Sequence, residues 1–371
     1  PEGHPYSWST IGYLEDLDRV DVNDLKKFFL RWYGPNNAAL TIGGDFDEAQ
    51  ALQWVVKYFG PIPRGPQVDN PEKPAVVLDS DRYISMEDRV SLPMLYMAFP
   101  TVSLHHPDEA PLDVLMFILG QGETSLLYKN MVKNGLAVQA SSNHGCAELL
   151  CTFTITALPN PANGKTLADL EKITRDSLAE FEERGVNEDD LTRVKMNIVS
   201  GMIYSLESVS GKVSQLASYE TFEGNPDYIA QNIARYENVT EQDVMRVYQK
   251  YIVGKPAVIM STVPYGQLDQ IAGPDTWSRY QRTLPDYKAT SEADLDYRRA
   301  KDDFDRSIEP PAGENPSITL PTIWRTELGN GVNVLGTINE ETPTTTISLS
   351  IDVGQRDEPL DKLGLAAITA A

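Results

Sequence analysis

The chain has 371 residues, too many for one ordinary hydrophobic core and enough for two to three units. With 41% hydrophobic and 23% charged residues it is globular rather than disordered. A formal net charge of -22 argues against nucleic acid or an anionic membrane as partner, because phosphate binding needs clustered Lys and Arg; an acidic, solvated surface is the plainer reading. No apolar run approaches the ~18 residues that span a bilayer, and no signal peptide is visible.

In chain order, Val20, Asp24, Leu25, Phe28, Phe29 and Trp32 recur with helical spacing. Gly34-Pro35-Asn36-Asn37 is turn chemistry, and the apolar run 38–42 predicts a buried strand ended by Gly43 and Gly44. Asp47 with Gln50 reads as a capping box for a helix carrying Leu52, Val55, Val56 and Phe59, which Gly60-Pro61 stops. Residues 94–99 alternate as a strand, 104–109 form a turn, and a helix follows with Leu112, Leu115, Met116 and Leu119. Gly120-Gln121-Gly122 stops that helix before another runs to Lys133.

A hairpin of strands 137–141 and 149–157 precedes helices at about 167–184, 188–207 and 210–223. Asn238-Val239-Thr240 matches a glycosylation sequon, but Thr240 is better explained as the N-cap of a helix over 241–251. Trp32, Tyr33, Tyr248 and Tyr251 are assigned to helix core faces. Cys146 and Cys151 are the only cysteines; on one extended strand they would point to opposite faces, too far apart for a disulfide, so no bridge is expected. Segregated runs of strands and helices indicate an α+β class, with an antiparallel or mixed sheet covered on one face.

The chain also repeats itself. A shift of 219 residues places Val20, Asp24, Leu25, Phe28, Phe29 and Trp32 on Val239, Asp243, Val244, Val247, Tyr248 and Tyr251, and the run 38–42 on 257–261. A strand over 347–353, the turn Gly354 to Pro359 and Leu363-Gly364-Leu365-Ala366 echo the strand, turn and helix that begin at Met94. The order is therefore end, start, end, start: the back of one domain, one whole domain and the front of a third. Between the last two lies 265–321, rich in Asp, Glu, Arg and Pro, with a short helix expected near 292–304; it reads as a solvated linker.

Residues 32–63 carry a further signal. Tyr33-Gly34-Pro35-Asn36-Asn37, Leu40 and Gly44-Asp45, followed by a helix ending Tyr58-Phe59-Gly60-Pro61-Ile62-Pro63, resemble the insulinase/pitrilysin family of zinc metallopeptidases. Gly3-His4-Pro5-Tyr6, Thr10-Ile11-Gly12 and Asp24-Leu25 are similar at the expected distances. The resemblance implies duplicated α+β domains and boundaries at 1–70 (tail of domain one), 71–265 (complete domain two), 266–321 (charged linker between halves) and 322–371 (front of domain three).

That family's zinc motif is His-x-x-Glu-His on a helix, with both His on one face, the Glu as base for zinc-bound water and a distal Glu as third ligand. It does not occur here. The histidines are His4, His105, His106 and His144; the nearest fragment, His106-Pro107-Asp108-Glu109, is followed by Ala110, and Pro107 and Pro111 oppose a helix across it. Asp108 and Glu109 suit the positive end of the following helix instead. His144-Gly145-Cys146 with Cys151 matches no zinc-finger spacing and reads as a hairpin loop. In the third domain the family's ligand and base positions fall on Ala367, Ala370 and Ala371, a degenerate pattern.

No catalytic, cofactor-binding or metal-ligating residue is therefore expected in this chain. Nor is there a Gly-x-Ser-x-Gly elbow, a phosphate loop or a Gly-x-Gly-x-x-Gly turn. The resemblance implies a parent zinc metalloendopeptidase, its zinc ligands upstream of Pro1, that hydrolyses peptides or unfolded polypeptide in a closed chamber. The chain itself would be inactive chamber wall and scaffold, partnered by the missing half of its own chain or by a homologous subunit. The alternative is a non-catalytic scaffold or processing-partner subunit. Similar four-domain chains in bacteria suggest the cell envelope, with the periplasm favoured.

Overall fold

Several helices begin where the sequence supplies a side-chain cap. In the computed structural model, which describes residues 3–278, 282–284, 286–309, 311, 313, 317 and 320–370, a single turn α1 (Leu14–Leu17) precedes α2 (Val22–Trp32). The Asp21 carboxylate accepts from the N–H groups of Asn23 and Asp24, while Asp24 accepts from that of Asp21. α3 (Glu48–Phe59) is capped by Asp47, which accepts from the Gln50 N–H at 2.7 Å. Residues 38–42, expected as a strand, join no ladder. An apolar run becomes a strand only when neighbours satisfy its backbone, and no described strand lies beside this one.

The chain divides into units at 1–315 and 316–371. The first holds a mixed five-stranded sheet of β1 (Arg82–Asp88), β2 (Met94–Pro100), β3 (Ala137–Cys146), β4 (Cys151–Pro159) and β5 (Val258–Pro264), in the order β1-β5-β2-β4-β3. β1 runs parallel to β5, and the other neighbours are antiparallel. Alternation sorts the faces: Leu95, Met97 and Phe99 with Cys151, Phe153, Ile155 and Ala157 enter the core, while Ala98, Pro100 and Thr152 point the other way.

The helices of this unit after β2 are α4 (Glu109–Gly120), α5 (Leu167–Arg184), α6 (Glu188–Ser205), α7 (Val209–Glu223), α8 (Ile229–Glu237) and α9 (Glu241–Tyr251); α4 and α5 lie on the core face of the sheet, and α6, α8 and α9 pack on α4. α4 is buried on almost every side, through Leu112, Val114, Leu115, Ile118 and Leu119, and contacts β3, α6, α8 and α9. Its last residue, Gly120, is more than a helix stop. A Cβ there would lie 2.3 Å from the Ser142 backbone nitrogen, so only glycine lets α4 close onto β3. A π-helical turn, Tyr128–Val132, stands where a regular helix was expected. Tyr248 of α9 docks on α5: its hydroxyl donates to the Leu178 carbonyl at 2.5 Å, and its ring meets Phe181 edge to face at 4.9 Å.

The repeat survives in the helices. α2 shifted by 219 residues falls on α9 end for end, and each carries a capping box with Asp at the third helical position, Asp24 and Asp243. Their surroundings differ. Leu25, Phe28 and Phe29 are 62%, 59% and 58% exposed, whereas their counterparts Val244, Val247 and Tyr248 are each 0% exposed. Trp32 and Tyr33 are exposed as well, against the expectation that they face a core.

The described residues after β5 hold 3-10 turns at Leu268–Gln270 and Glu292–Asp294, the second where a helix was expected. Its charges are engaged rather than merely solvated. Arg282 forks onto Asp16 at 2.6 and 2.9 Å, Arg306 donates to the Tyr58 carbonyl at 2.8 Å, and Arg298 donates to the Leu30 carbonyl. The hydroxyls of Thr290 and Tyr287 both donate to Asp24 and hold its carboxyl at about 2.

In the second unit, β6 (Trp324–Glu327) and β7 (Asn333–Gly336) form a hairpin, and α10 (Leu365–Ala370) is preceded by Glu358, which accepts from the N–H groups of Gly364 and Ala366, both at 2.7 Å. Residues 347–353 form no ladder, contrary to expectation and for the reason that applies to 38–42. Ala371 lies outside the described residues.

These environments make substitutions asymmetric. Leu115→Ala is expected to cost about 2–5 kcal/mol, whereas Phe29→Ala on the exposed face should cost under about 1 kcal/mol. Urea midpoints at unchanged slope measure both.

Candidate functional site

The four histidines are not brought together around one point. His4 is buried, with Nδ1 accepting the Tyr6 N–H at 3.0 Å, and its Nε2 has no partner among the described residues. His105 sits at φ +59°, its N–H donating to Glu109 at 2.5 Å and its ring paired with Glu223. His106 Nδ1 accepts the Asp108 N–H at 3.0 Å, a local turn.

The fragment from His106 to Glu109 is occupied by structural pairing. Glu109, buried, receives Arg235 of α8 at 2.7 Å. Asp108, buried beside it, receives Arg246 at 2.6 Å, Lys250 at 2.9 Å and the Tyr251 hydroxyl at 2.7 Å, all from α9. Burial alone would push the Asp108 carboxyl up, but hydrogen bonds from Lys250, Tyr251 and Arg246 outweigh it and hold the group well below the usual carboxylate range. The expected place of these two acids at a helix N-terminus is correct; their main partners, more than a hundred residues away, were not legible locally.

The second cluster corrects an expectation. Cys146 and Cys151 form a disulfide, with Cα atoms 4.0 Å apart. They do not share a strand: β3 extends through Cys146, and the hairpin register sets Cys146 opposite Cys151 across a turn at 147–150. His144, whose side chain is fully buried, lies beside them. Its Nδ1 is 2.6 Å from Asp113, its Nε2 is 2.9 Å from the Thr101 hydroxyl, and its ring nitrogens stand 3.9 and 4.0 Å from Cys146 Sγ. Asp113 also accepts from the Tyr236 hydroxyl at 2.6 Å, and Tyr236 is held strongly towards its neutral form by burial and by that carboxylate.

On the opposite face of the sheet lies a cavity of about 1350 Å³, walled by Arg82, Ala98 and Val258 of three adjacent strands and by Trp8, Tyr13 and Trp277. It is mostly apolar with a few polar groups, a composition that suits extended peptide or other partly apolar ligands.

Comparison with known proteins decides the lineage. The sequence profile described as Peptidase M16 inactive domain matches residues 19–198, which span α2 through most of α6. A zinc protease PqqE of Helicobacter pylori is 28% identical over 255 residues, covering 67% of this chain and 56% of that protein. Residues 19–198 are thus similar to the M16 peptidase family. A second relative, a non-peptidase homolog YmxG of Helicobacter pylori, is 24% identical over 219 residues, covering 58% of this chain and 49% of that one. The chain thus spans about half the length of these curated relatives.

Two solved structures share the M16 fold. One is a peptidase M16 inactive domain from Pseudomonas fluorescens (TM-score 0.61, 21% identity, 71% of this chain and 62% of that one). The other is a protease from Helicobacter pylori (TM-score 0.60, 24% identity, 70% and 63%). The insulinase/pitrilysin resemblance and the α+β class with a mixed sheet are both borne out. Among the described residues no helix is long and apolar enough to cross a membrane.

The acid clamp gives a pH-dependent prediction. A depressed carboxyl stabilises the fold above its unfolded value of about 3.9, and that contribution is lost as pH falls through the folded value. Asp108→Asn should therefore cost about 2 kcal/mol at neutral pH, a figure discounted because Arg246 and Lys250 are half-exposed. The gap from the parent chain should close on acidification below about pH 4, as measured by denaturant unfolding across pH.

Proposed function

We propose that this chain is the scaffold portion of an M16 zinc metallopeptidase assembly that hydrolyses peptides within a chamber, and that it holds no peptidase metal site of its own. The carrying observation is the contrast between α2 and α9. The apolar stripe of one helical design is covered where α4 and α5 lie over it, and that of the other is bare. On this reading residues 1–70 close a domain whose opening half, a strand and an α4-like helix, is supplied by the zinc-bearing part of the same polypeptide or by a homologous subunit. Residues 71–265 then form a whole domain, 266–321 a linker, and 322–371 the front of a third.

The residues present do not fit the family's zinc. His106 Nδ1 is committed to a backbone N–H, Glu109 to Arg235, and Ala367 and Ala370 carry no donor atom. What this chain offers is a wall, including the cavity against β1, β5 and β2, along which a peptide or unfolded polypeptide would lie. The Cys146–Cys151 disulfide supports an oxidising location such as the bacterial periplasm. A second reading, a purely non-catalytic subunit, is favoured by the relative named a non-peptidase homolog.

As isolated and oxidised, the chain is expected to retain no stoichiometric zinc after dialysis and to leave a quenched fluorescent peptide uncut. Mixed with an M16 polypeptide bearing His-x-x-Glu-His, it should form a complex that Leu25→Asp with Phe28→Asp abolishes. Metal-dependent cleavage by the chain alone would overturn the reading. Complex formation without added hydrolysis favours the non-catalytic alternative.

A further inference from the structure

We infer that the reduced pair Cys146 and Cys151, together with His144, forms a binding site for one thiophilic divalent cation of the zinc class. The cation competes with the disulfide for the same sulfurs. This goes beyond the scaffold role and does not depend on it.

The three donor groups already converge. One ring nitrogen of His144 and the two Sγ atoms all lie within 4.8 Å of one another. Zinc bond lengths of about 2.3 Å to sulfur and 2.0–2.1 Å to nitrogen set ligand-to-ligand edges of roughly 3.5–4 Å. The His144 Nε2 to Cys146 Sγ distance of 4.0 Å is already of that size. Reduction opens the sulfur–sulfur contact, and the remaining separations, none above 4.8 Å, need to close by under about 1 Å.

His144 is also oriented as a ligating histidine would be. Its Nδ1 faces Asp113 at 2.6 Å, and Asp113 is fixed in turn by Tyr236, a carboxylate–histidine arrangement that sets the tautomer and leaves Nε2 for a metal. The present neighbour of Nε2, the Thr101 hydroxyl, has a second partner in the Cys151 carbonyl at 2.9 Å. It can therefore give up the ring nitrogen without becoming an unpaired buried group. Cys151 and His144 are buried, whereas Cys146 is partly exposed at the hairpin turn and gives the cation a way in.

The chemistry balances. An external dithiol gives the disulfide two electrons and two protons and becomes a disulfide itself, or a phosphine gives two electrons and becomes the phosphine oxide while water supplies its oxygen and the two protons; either way the sulfur–sulfur bond breaks and two thiols result. Binding then forms two metal–sulfur bonds and one metal–nitrogen bond and releases the two thiol protons. A thiolate, an imidazole and a second thiolate leave a fourth position for water, a set that favours zinc over magnesium or calcium.

The test uses the full chain, reduced with a phosphine, freed of excess reductant under inert gas and titrated with Zn²⁺ against a chromophoric chelator. Co²⁺ in a parallel titration reports thiolate coordination. One equivalent per chain and a thiolate-to-cobalt charge-transfer band are expected after reduction and neither before it. Cys146→Ser with Cys151→Ser should abolish uptake, and Asp113→Asn should weaken it about 10–100-fold. Circular dichroism of the double serine variant shows whether the hairpin holds without the bridge. Absence of uptake after reduction, uptake that survives the double serine change, or uptake indifferent to His144→Phe would overturn the site. Zinc held before reduction would instead count against the metal-free scaffold reading.

Discussion

The fold of the first unit depends on how two buried acids at the start of α4 are satisfied. Asp108 and Glu109 are nearly inaccessible, and taking two carboxylates from water costs several kcal/mol each unless their oxygens find donors. They find Arg235, Arg246, Lys250 and Tyr251 on α8 and α9, the last helices before the closing strand. The clamp sets where α9 ends, and therefore where β5 begins. β5 is the strand that enters between β1 and β2, parallel to one and antiparallel to the other. Sheet, cavity wall and helical layer all follow from a strand that arrives late in the chain and sits near the middle of the sheet.

That placement also explains what could and could not be read from the sequence. Caps were legible because they are local: Asp47 at α3 and Thr240 at α9 are contained within four residues. The long amphipathic helices and the strand from Met94 were legible through period. β1 was missed, since an edge strand reading Arg-Tyr-Ile-Ser-Met-Glu-Asp has weak alternation and is paired only on one side. The runs 38–42 and 347–353 were read as strands because composition encodes readiness for a sheet, while the ladder partner is tertiary information.

The hairpin shows the same limit at the candidate site. Ser142 to Cys146 looks like loop material, polar and containing glycine, yet it is paired residue by residue with β4. Register, invisible in the sequence, turns a pair of cysteines five residues apart into a bridge and draws His144 beside them. The absence of a His-x-x-Glu-His motif was legible outright. The grouping of His144, Cys146 and Cys151, with His144 held by a half-buried carboxylate, was not, because Asp113 and Tyr236 reach it from two helices.

The two copies of the helix design make a more general point. α2 and α9 share length, cap and apolar positions, so local physics treats them alike. What differs is cover, and each large apolar side chain left uncovered forgoes about 1.5–3 kcal/mol that its counterpart gains. A helix can be specified by its caps and still owe most of its stability to a partner. α2 keeps its shape at a cost in exposed area that a strongly acidic surface helps to keep soluble. Its stripe of Leu25, Phe28 and Phe29 is bare where that of α9 is covered, and α9 shows what such cover is made of: the buried helix α4, which itself lies on the sheet.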